Sequence, residues 1–246
     1  MYAFGSGVLI GTPAGANQTP INFGLVQDVT YDETSTLKEL YGQNRRPLAI
    51  GAGTIKSTVK AKMARISGVA LASLLYGVAT VSGQTATAFA EAGTVPAVST
   101  YTITVANSAT WAVDQGVVYT ATGLPLKRVA SGPTVGQYSV AAGVYTFAAA
   151  DASAKVLISY NYTISATGLN VPIGNPLLGP TVNFAANLYG VDPTTSLSYS
   201  LQLYNCVTEK FAIGTKLEDF VMPELDFRCY ANAAGLYGQW NFPDVG

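Results

Sequence analysis

Alternation of apolar and polar residues governs most of this chain. Ile55, Ser57, Val59, Ala61 and Met63 line one face of a segment whose other face is Thr54, Lys56, Thr58, Lys60 and Lys62. Tyr101, Ile103 and Val105 alternate with threonines. Val156, Ile158, Tyr160, Tyr162 and Ile164 share a face, as do Leu197, Tyr199, Leu201 and Leu203, and again Leu225, Phe227 and Cys229. Such runs predict antiparallel strands with one face on a core and the other on solvent or a neighbour. One stretch departs from this period. Ile66, Val69 or Ala70, and Leu74 recur at spacings of three and four, and Gly77 follows. The pattern predicts one amphipathic helix of about three turns, stopped by the glycine. A buried strand is the alternative, but the absence of a β-branched run favours the helix.

Composition shifts at residue 79. Val78–Thr100 is small and polar, holds Gly83, Gly93 and Pro96, and reads as a linker or irregular structure. From there to about Ile164 the chain is dense in Tyr, Val and Gly, with turn signals at Ser131-Gly-Pro133 and Ala142-Gly143. Strands recurring every ~8–12 residues predict a small β-sandwich there. Thr167–Pro176, rich in Gly, Pro and Asn, reads as a second linker. A self-contained β unit between two linkers predicts a domain at 80–165 inserted into a discontinuous domain of 1–79 and 166–246.

The chain has 246 residues, 49% of them hydrophobic, which is enough for a sizeable core. Only 11% are charged, against roughly 25% in an ordinary soluble domain. Two readings stay open: a lean all-β domain, or a surface mostly buried in an assembly, since obligate interfaces deplete charge. Net charge is −1, so no overall basic footprint points to tight nucleic-acid binding. Residues 1–78 carry +3 and residues 166–246 carry −4. Here too two readings stay open: a subunit with a basic end and an acidic end that could stack head to tail, or chance unevenness in a small count. The first residues show no basic leader or cleavage pattern, so synthesis in the cytoplasm is expected. The longest apolar stretch, Ile66 to Val81, is shorter than the ~20 residues that span a bilayer, and no membrane partner is expected.

Candidate chemistry is sparse. The absence of histidine removes Ser-His-Asp and Cys-His arrangements and the commonest metal ligand. Cys206 and Cys229 have no partnering Cys or His at zinc spacing, and read as small buried apolar groups. Gly5–Gly11 and Gly51–Gly53 resemble phosphate loops only faintly and lack the Gly-Lys-Ser/Thr ending. Glu218, Asp219, Glu224 and Asp226 lie close in sequence without a calcium-loop pattern, and read as a solvated or interface edge. No catalytic residue, cofactor or metal site is expected, and Trp111 and Trp240 read as core or interface aromatics rather than sugar platforms.

Several segments, in order, resemble the tail tube (major tail) proteins of tailed bacteriophages. They are Val26-Gln-Asp-Val-Thr-Tyr-Asp-Glu-Thr-Ser35 and Lys38-Glu-Leu-Tyr-Gly-Gln-Asn-Arg-Arg-Pro47, then the strand at 53–63 and the helix ending Leu75-Tyr-Gly77. Farther on come Leu203-Tyr-Asn-Cys-Val207, Gly214-Thr-Lys-Leu-Glu-Asp-Phe220, Pro223-Glu-Leu-Asp-Phe227 and Ala231-Asn-Ala-Ala-Gly235. The insert resembles inserts of related tail proteins through Gly116-Val-Val-Tyr119, Gly136-Gln-Tyr138, Gly143-Val-Tyr-Thr-Phe147 and Ile158-Ser-Tyr160.

The resemblance implies a mainly β protein: a tail-tube-type β-sandwich with one flanking α-helix, plus an inserted, outward-facing, Ig-like all-β domain. It implies a structural, non-enzymatic subunit whose hexameric rings stack into a tube in the virion tail. Partners would be itself, tape-measure, tail-terminator and distal tail or baseplate proteins, and DNA in transient passage. On this reading 33–53 is a projecting arm, poorly ordered in the free subunit, that docks on a neighbour. Lys38 would lie in it, Leu40 and Tyr41 would anchor it, and Arg45 and Arg46 would meet Glu218, Asp219, Glu224 and Asp226. The insert would display Tyr138 and Tyr145 to glycans or stabilise the outer wall. Another phage or surface structural or decoration protein, and a carbohydrate-binding β module, are the alternatives.

Overall fold

The computed structural model describes residue 5, residues 7–65 and residues 67–243. In chain order these form β1 (Val8–Pro13), β2 (Ile21–Asn22), β3 (Val26–Tyr41), β4 (Pro47–Met63), a helical segment at 68–76, β5 (Val81–Thr94), β6 (Thr102–Thr104), β7 (Trp111–Tyr119), β8 (Lys127–Arg128), β9 (Gln137–Ala141), β10 (Val144–Phe147), β11 (Lys155–Asn170), β12 (Asn183–Val191), β13 (Ser198–Ala212), β14 (Glu224–Tyr230) and β15 (Gly238–Asn241). The protein is mainly β. It divides into two compact units, Met1–Thr80 with Val171–Gly246, and Val81–Asn170.

The larger unit is one eight-stranded sheet in the order β2-β1-β12-β13-β14-β4-β3, with β15 pairing the first part of β13. Its buried face is built by the alternation read above. Leu201 and Leu203 of β13, Leu225, Phe227 and Cys229 of β14, and Val59, Ala61 and Met63 of β4 point into one core. Phe227 sits at its centre, with ring centroids 5.3 Å from Phe184 and 6.4 Å from Phe23. On β13 the period breaks after Leu203. Ala186 faces Leu203 but Phe184 faces Cys206, so β13 carries one extra residue and the inward positions move from odd to even.

The helical segment differs from an ideal amphipathic helix. It opens as an α turn at Gly68–Ala70 and widens to π-helical over Leu71–Tyr76, burying Ala70, Ala72 and Leu74. Ile66, the expected first apolar position, lies outside the described residues. Gly77 takes a left-handed conformation (φ 62°), and the Val78 N–H donates to Ala72 O at 2.9 Å, which satisfies one carbonyl at the helix end. A Cβ on Gly77 would stand 2.7 Å from Val182 Cγ2, so the stop requires glycine twice over.

The smaller unit joins two sheets, β5-β11-β7 and β6-β10-β9-β8, around a separate core of Val117, Tyr138, Tyr145, Phe147, Val156, Ile158 and Tyr160. Strands occupy ground read as linker: β5 fills 81–94, and β11 runs on to Asn170. Small residues hid β5, because Ala86, Ala88 and Thr87 give its faces little contrast. Its first residue, Val81, pairs with the last of β11, Asn170.

Candidate interaction surface

Strands β3 and β4 pair along almost their whole length, from Val26↔Met63 to Tyr41↔Pro47. The neighbouring β14 covers β4 only from Thr58 to Lys62. The remaining eleven residues of β4, 47–57, extend as a two-stranded ribbon for about 35 Å at ~3.3 Å per residue. The segment expected to be a poorly ordered arm is therefore a β-ribbon. Its strand character escaped the sequence reading because no face of it is buried within the chain.

Every large apolar side chain on the distal ribbon is exposed. Leu37, Leu40, Tyr41, Leu48, Ile50 and Ile55 are each more than half accessible. Pairing of Leu37 with Ala52 and of Glu39 with Ile50 puts Leu37, Ile50 and, by alternation, Leu48 on one face, while Leu40 and Ala49 share the other with Lys38. The Tyr41 hydroxyl donates to the Glu39 carboxylate, which raises the Tyr41 pKa. Arg45 and Arg46 sit exposed in the turn. A two-stranded ribbon alone is marginal in water, and among the described residues β3 is an edge strand of the sheet.

The acidic candidates lie elsewhere. Glu218 and Asp219 are in the exposed loop between β13 and β14, where Lys216 pairs with Asp219 at 3.4 Å. Glu224 pairs with Lys210 at 3.3 Å and Lys62 at 3.8 Å. Asp226 lies opposite both Lys60 and Lys210. The basic and acidic thirds of the chain thus do not form opposite ends, as the charge count suggested, but interleave across adjacent strands. Glu218 makes no ion pair among the described residues. From Pro47 to Lys62 is about 50 Å along β4 at ~3.3 Å per residue. Arg45 and Arg46 are therefore held far from Glu224 within one chain.

In the smaller unit the structure reveals a polar cluster that the sequence reading missed. The Asp114 side chain is 4% exposed. It accepts hydrogen bonds from Tyr138 Oη at 2.7 Å and Tyr145 Oη at 3.0 Å, and Arg128 Nη1 stands 3.7 Å away. Trp111 Nε1 donates to Tyr145 Oη at 3.3 Å. A bulge turns Asp114 inward: Gly116 faces Ser159 but Asp114 faces Tyr160, leaving Gln115 as the extra residue. Gly116 supplies the required positive φ of 107°. Tyr138 and Tyr145 are 2% and 0% exposed, so neither can meet a glycan. Their positions on β9 and β10 point into the core. Trp240, by contrast, is 46% exposed, stacked on Phe242 at 5.5 Å and edge-on to Tyr31 at 6.1 Å.

Nearby, Tyr119 Oη donates to the buried Asp151 carboxylate at 2.7 Å. Burial and then this hydrogen bond push the Tyr119 pKa up to about 12. Burial, and next the bond to Asp114, raise that of Tyr138; burial foremost raises that of Tyr145. The folded unit thus holds these protons more tightly than the unfolded chain, whose tyrosines ionise near pH ~10. The resulting stabilisation is complete below pH ~10 and is lost as pH rises from there through 12. Melting of the smaller unit should shift steadily downward over that window. An unchanged melting temperature, with phenolate absorbance rising as in free tyrosine, would contradict it.

Among the described residues no cluster of three His, Cys, Asp or Glu is placed to hold a metal ion, and no helix is long and apolar enough to cross a membrane. Fold and surface together define a mainly β protein of two units, the larger with an extended ribbon whose large apolar side chains are exposed and which no third strand covers among the described residues. No protein-family model matches the chain, and no curated protein matches it in sequence.

Proposed function

We propose that this chain is a self-assembling structural protein of the tail-tube type, whose copies pair through the β3–β4 ribbon and the open β3 edge to build stacked rings in a virion tail. The observation that carries this reading is the ribbon: about 35 Å of paired strand with exposed leucine, isoleucine and tyrosine and, among the described residues, no third strand to cover it. A neighbouring copy supplies what the chain lacks, and ring closure removes the exposed edge. On a neighbour, Arg45 and Arg46 meet the acidic 218–226 region, where Glu218 makes no ion pair among the described residues. Tape-measure, terminator and baseplate proteins, and DNA in passage, are partners that follow from such a tube. Lys60 and Lys62 of β4 lie opposite Asp226, Glu224 and Asp28 while Lys56 lies opposite Thr34, so that face offers passing DNA no continuous positive stripe. The smaller unit is an Ig-like insertion on this reading.

Electron microscopy and light scattering of the purified protein test the proposal. Rings or tubes are expected at high concentration. A strictly monomeric species at every concentration sinks it. The double variant R45E/R46E should raise the concentration needed for assembly by about tenfold or more, equivalent to ~1.4 kcal/mol, with the melting of the free subunit unchanged. Normal tubes from that variant would remove the arginines from the contact.

A further inference from the structure

Cys206 and Cys229 are directly opposite each other on β13 and β14, the central strands of the larger sheet. Both are buried, and their Sγ atoms are 3.4 Å apart. Directly opposed residues of an antiparallel pair have Cα atoms ~4.5 or ~5.5 Å apart, and both spacings lie inside the ~4.4–6.8 Å range that a disulfide spans. Only a side-chain adjustment, closing the sulfurs to ~2.0 Å, separates the two thiols from a bond. Unfolding must part β13 from β14, so a bond here ties together strands that no short loop connects.

We propose that Cys206 and Cys229 form a dithiol site that a small-molecule disulfide oxidises to a cross-strand disulfide, locking β13 to β14 after folding. Cys229 is 8% exposed and Cys206 fully covered, so Cys229 meets the oxidant first. Its thiolate attacks one sulfur of the small disulfide, breaks that S–S bond and releases one thiol. The Cys206 thiolate then attacks Cys229 Sγ, forms the Cys206–Cys229 bond and displaces the second thiol. The two cysteine protons leave on the two released thiols, and the oxidant takes up both electrons. The thiol–thiol contact lowers the Cys229 pKa and raises that of Cys206, in keeping with this order of attack.

The test treats the intact native chain with oxidised glutathione. Thiols are then counted in denaturant with Ellman's reagent, the intact mass is measured, and the non-reduced peptides are mapped. The expected result is joint loss of both thiols, a mass lower by two hydrogens, no retained glutathione and a linked Cys206–Cys229 peptide. The unfolding midpoint of the larger unit should rise, and a thiol reductant should reverse the rise. Cys206→Ser should stop at a glutathione adduct on Cys229. The site is refuted if both thiols survive conditions that oxidise the denatured chain, or if the native wild-type protein stops at an adduct. A disulfide that leaves the midpoint unmoved refutes the locking role. If the serine variant fails to fold, the wild-type measurements decide alone.

Discussion

Deleting 81–170 and joining Thr80 to Val171 is expected to leave a soluble protein that folds as the larger unit, while the excised segment folds alone. Val81 and Asn170 face each other across the β5–β11 pair. Directly paired residues lie ~5 Å apart, so the junction closes with almost no loop to order. Each part keeps its own core: among the described residues, a cluster of sixteen buried apolar residues that includes Phe227 in one, and of ten that includes Tyr145 and Ile158 in the other. The boundary anticipated at 80 and 165 would have cut the last turns of the β5–β11 ladder, leaving Leu169 and Asn170 without Ser82 and Val81. Each unit also holds one of the two tryptophans, Trp111 and Trp240, so fluorescence of Trp→Phe variants reports the units separately. A collapsed deletion protein, or an unfolded 81–170 fragment, would show that neither unit is autonomous. If the deleted protein folds and still assembles, the smaller unit is dispensable to assembly as well.

Phe227→Ala should destabilise the larger unit by about 3–5 kcal/mol, the range for truncating a buried aromatic. Phe227 is fully buried and touches rings from two other parts of the fold, Phe184 on β12 and Phe23 beyond β2, so no single neighbour can swing in to fill the space. The loss should appear in the Trp240 transition in denaturant and leave the Trp111 transition in place. Equal shifts of both transitions, or a loss below ~1 kcal/mol, would mean that the core collapses around the gap or that the two units unfold together.

The two cores were largely legible in the sequence because apolar alternation survives wherever a strand buries one face. Val156, Ile158 and Tyr160, and Leu225, Phe227 and Cys229, are inward as expected. Three kinds of position were not legible. Bulges shift parity without changing composition, so Asp114 turns inward unannounced, and Cys206, expected to be buried, gets there through an extra residue on β13 that alternation does not show. Strands of small residues, such as β5, carry too little contrast to register. The ribbon of β3 and β4 shows no buried face because the chain itself offers nothing to cover it. Ile55 illustrates the last point: it belongs to the apolar series of Val59 and Met63, yet it lies past the end of β14 and stays exposed. The candidate contact residues were legible as a set of anchors and charges, but not the strand order that sets Glu224 and Asp226 of β14 beside lysines of β4 and β13.

The pairing of Val81 with Asn170 also has a mechanical consequence. The β1–β12 and β4–β14 pairs hold the two halves of the larger unit together; once they give way, tension between Thr80 and Val171 passes across this single strand pair, not through the body of the smaller unit. The load peels the β5–β11 hydrogen bonds apart one after another from the root, so a modest force opens them. The smaller unit would then act as a folded reserve of chain, released rung by rung from its base under strain and rewound when the strain falls.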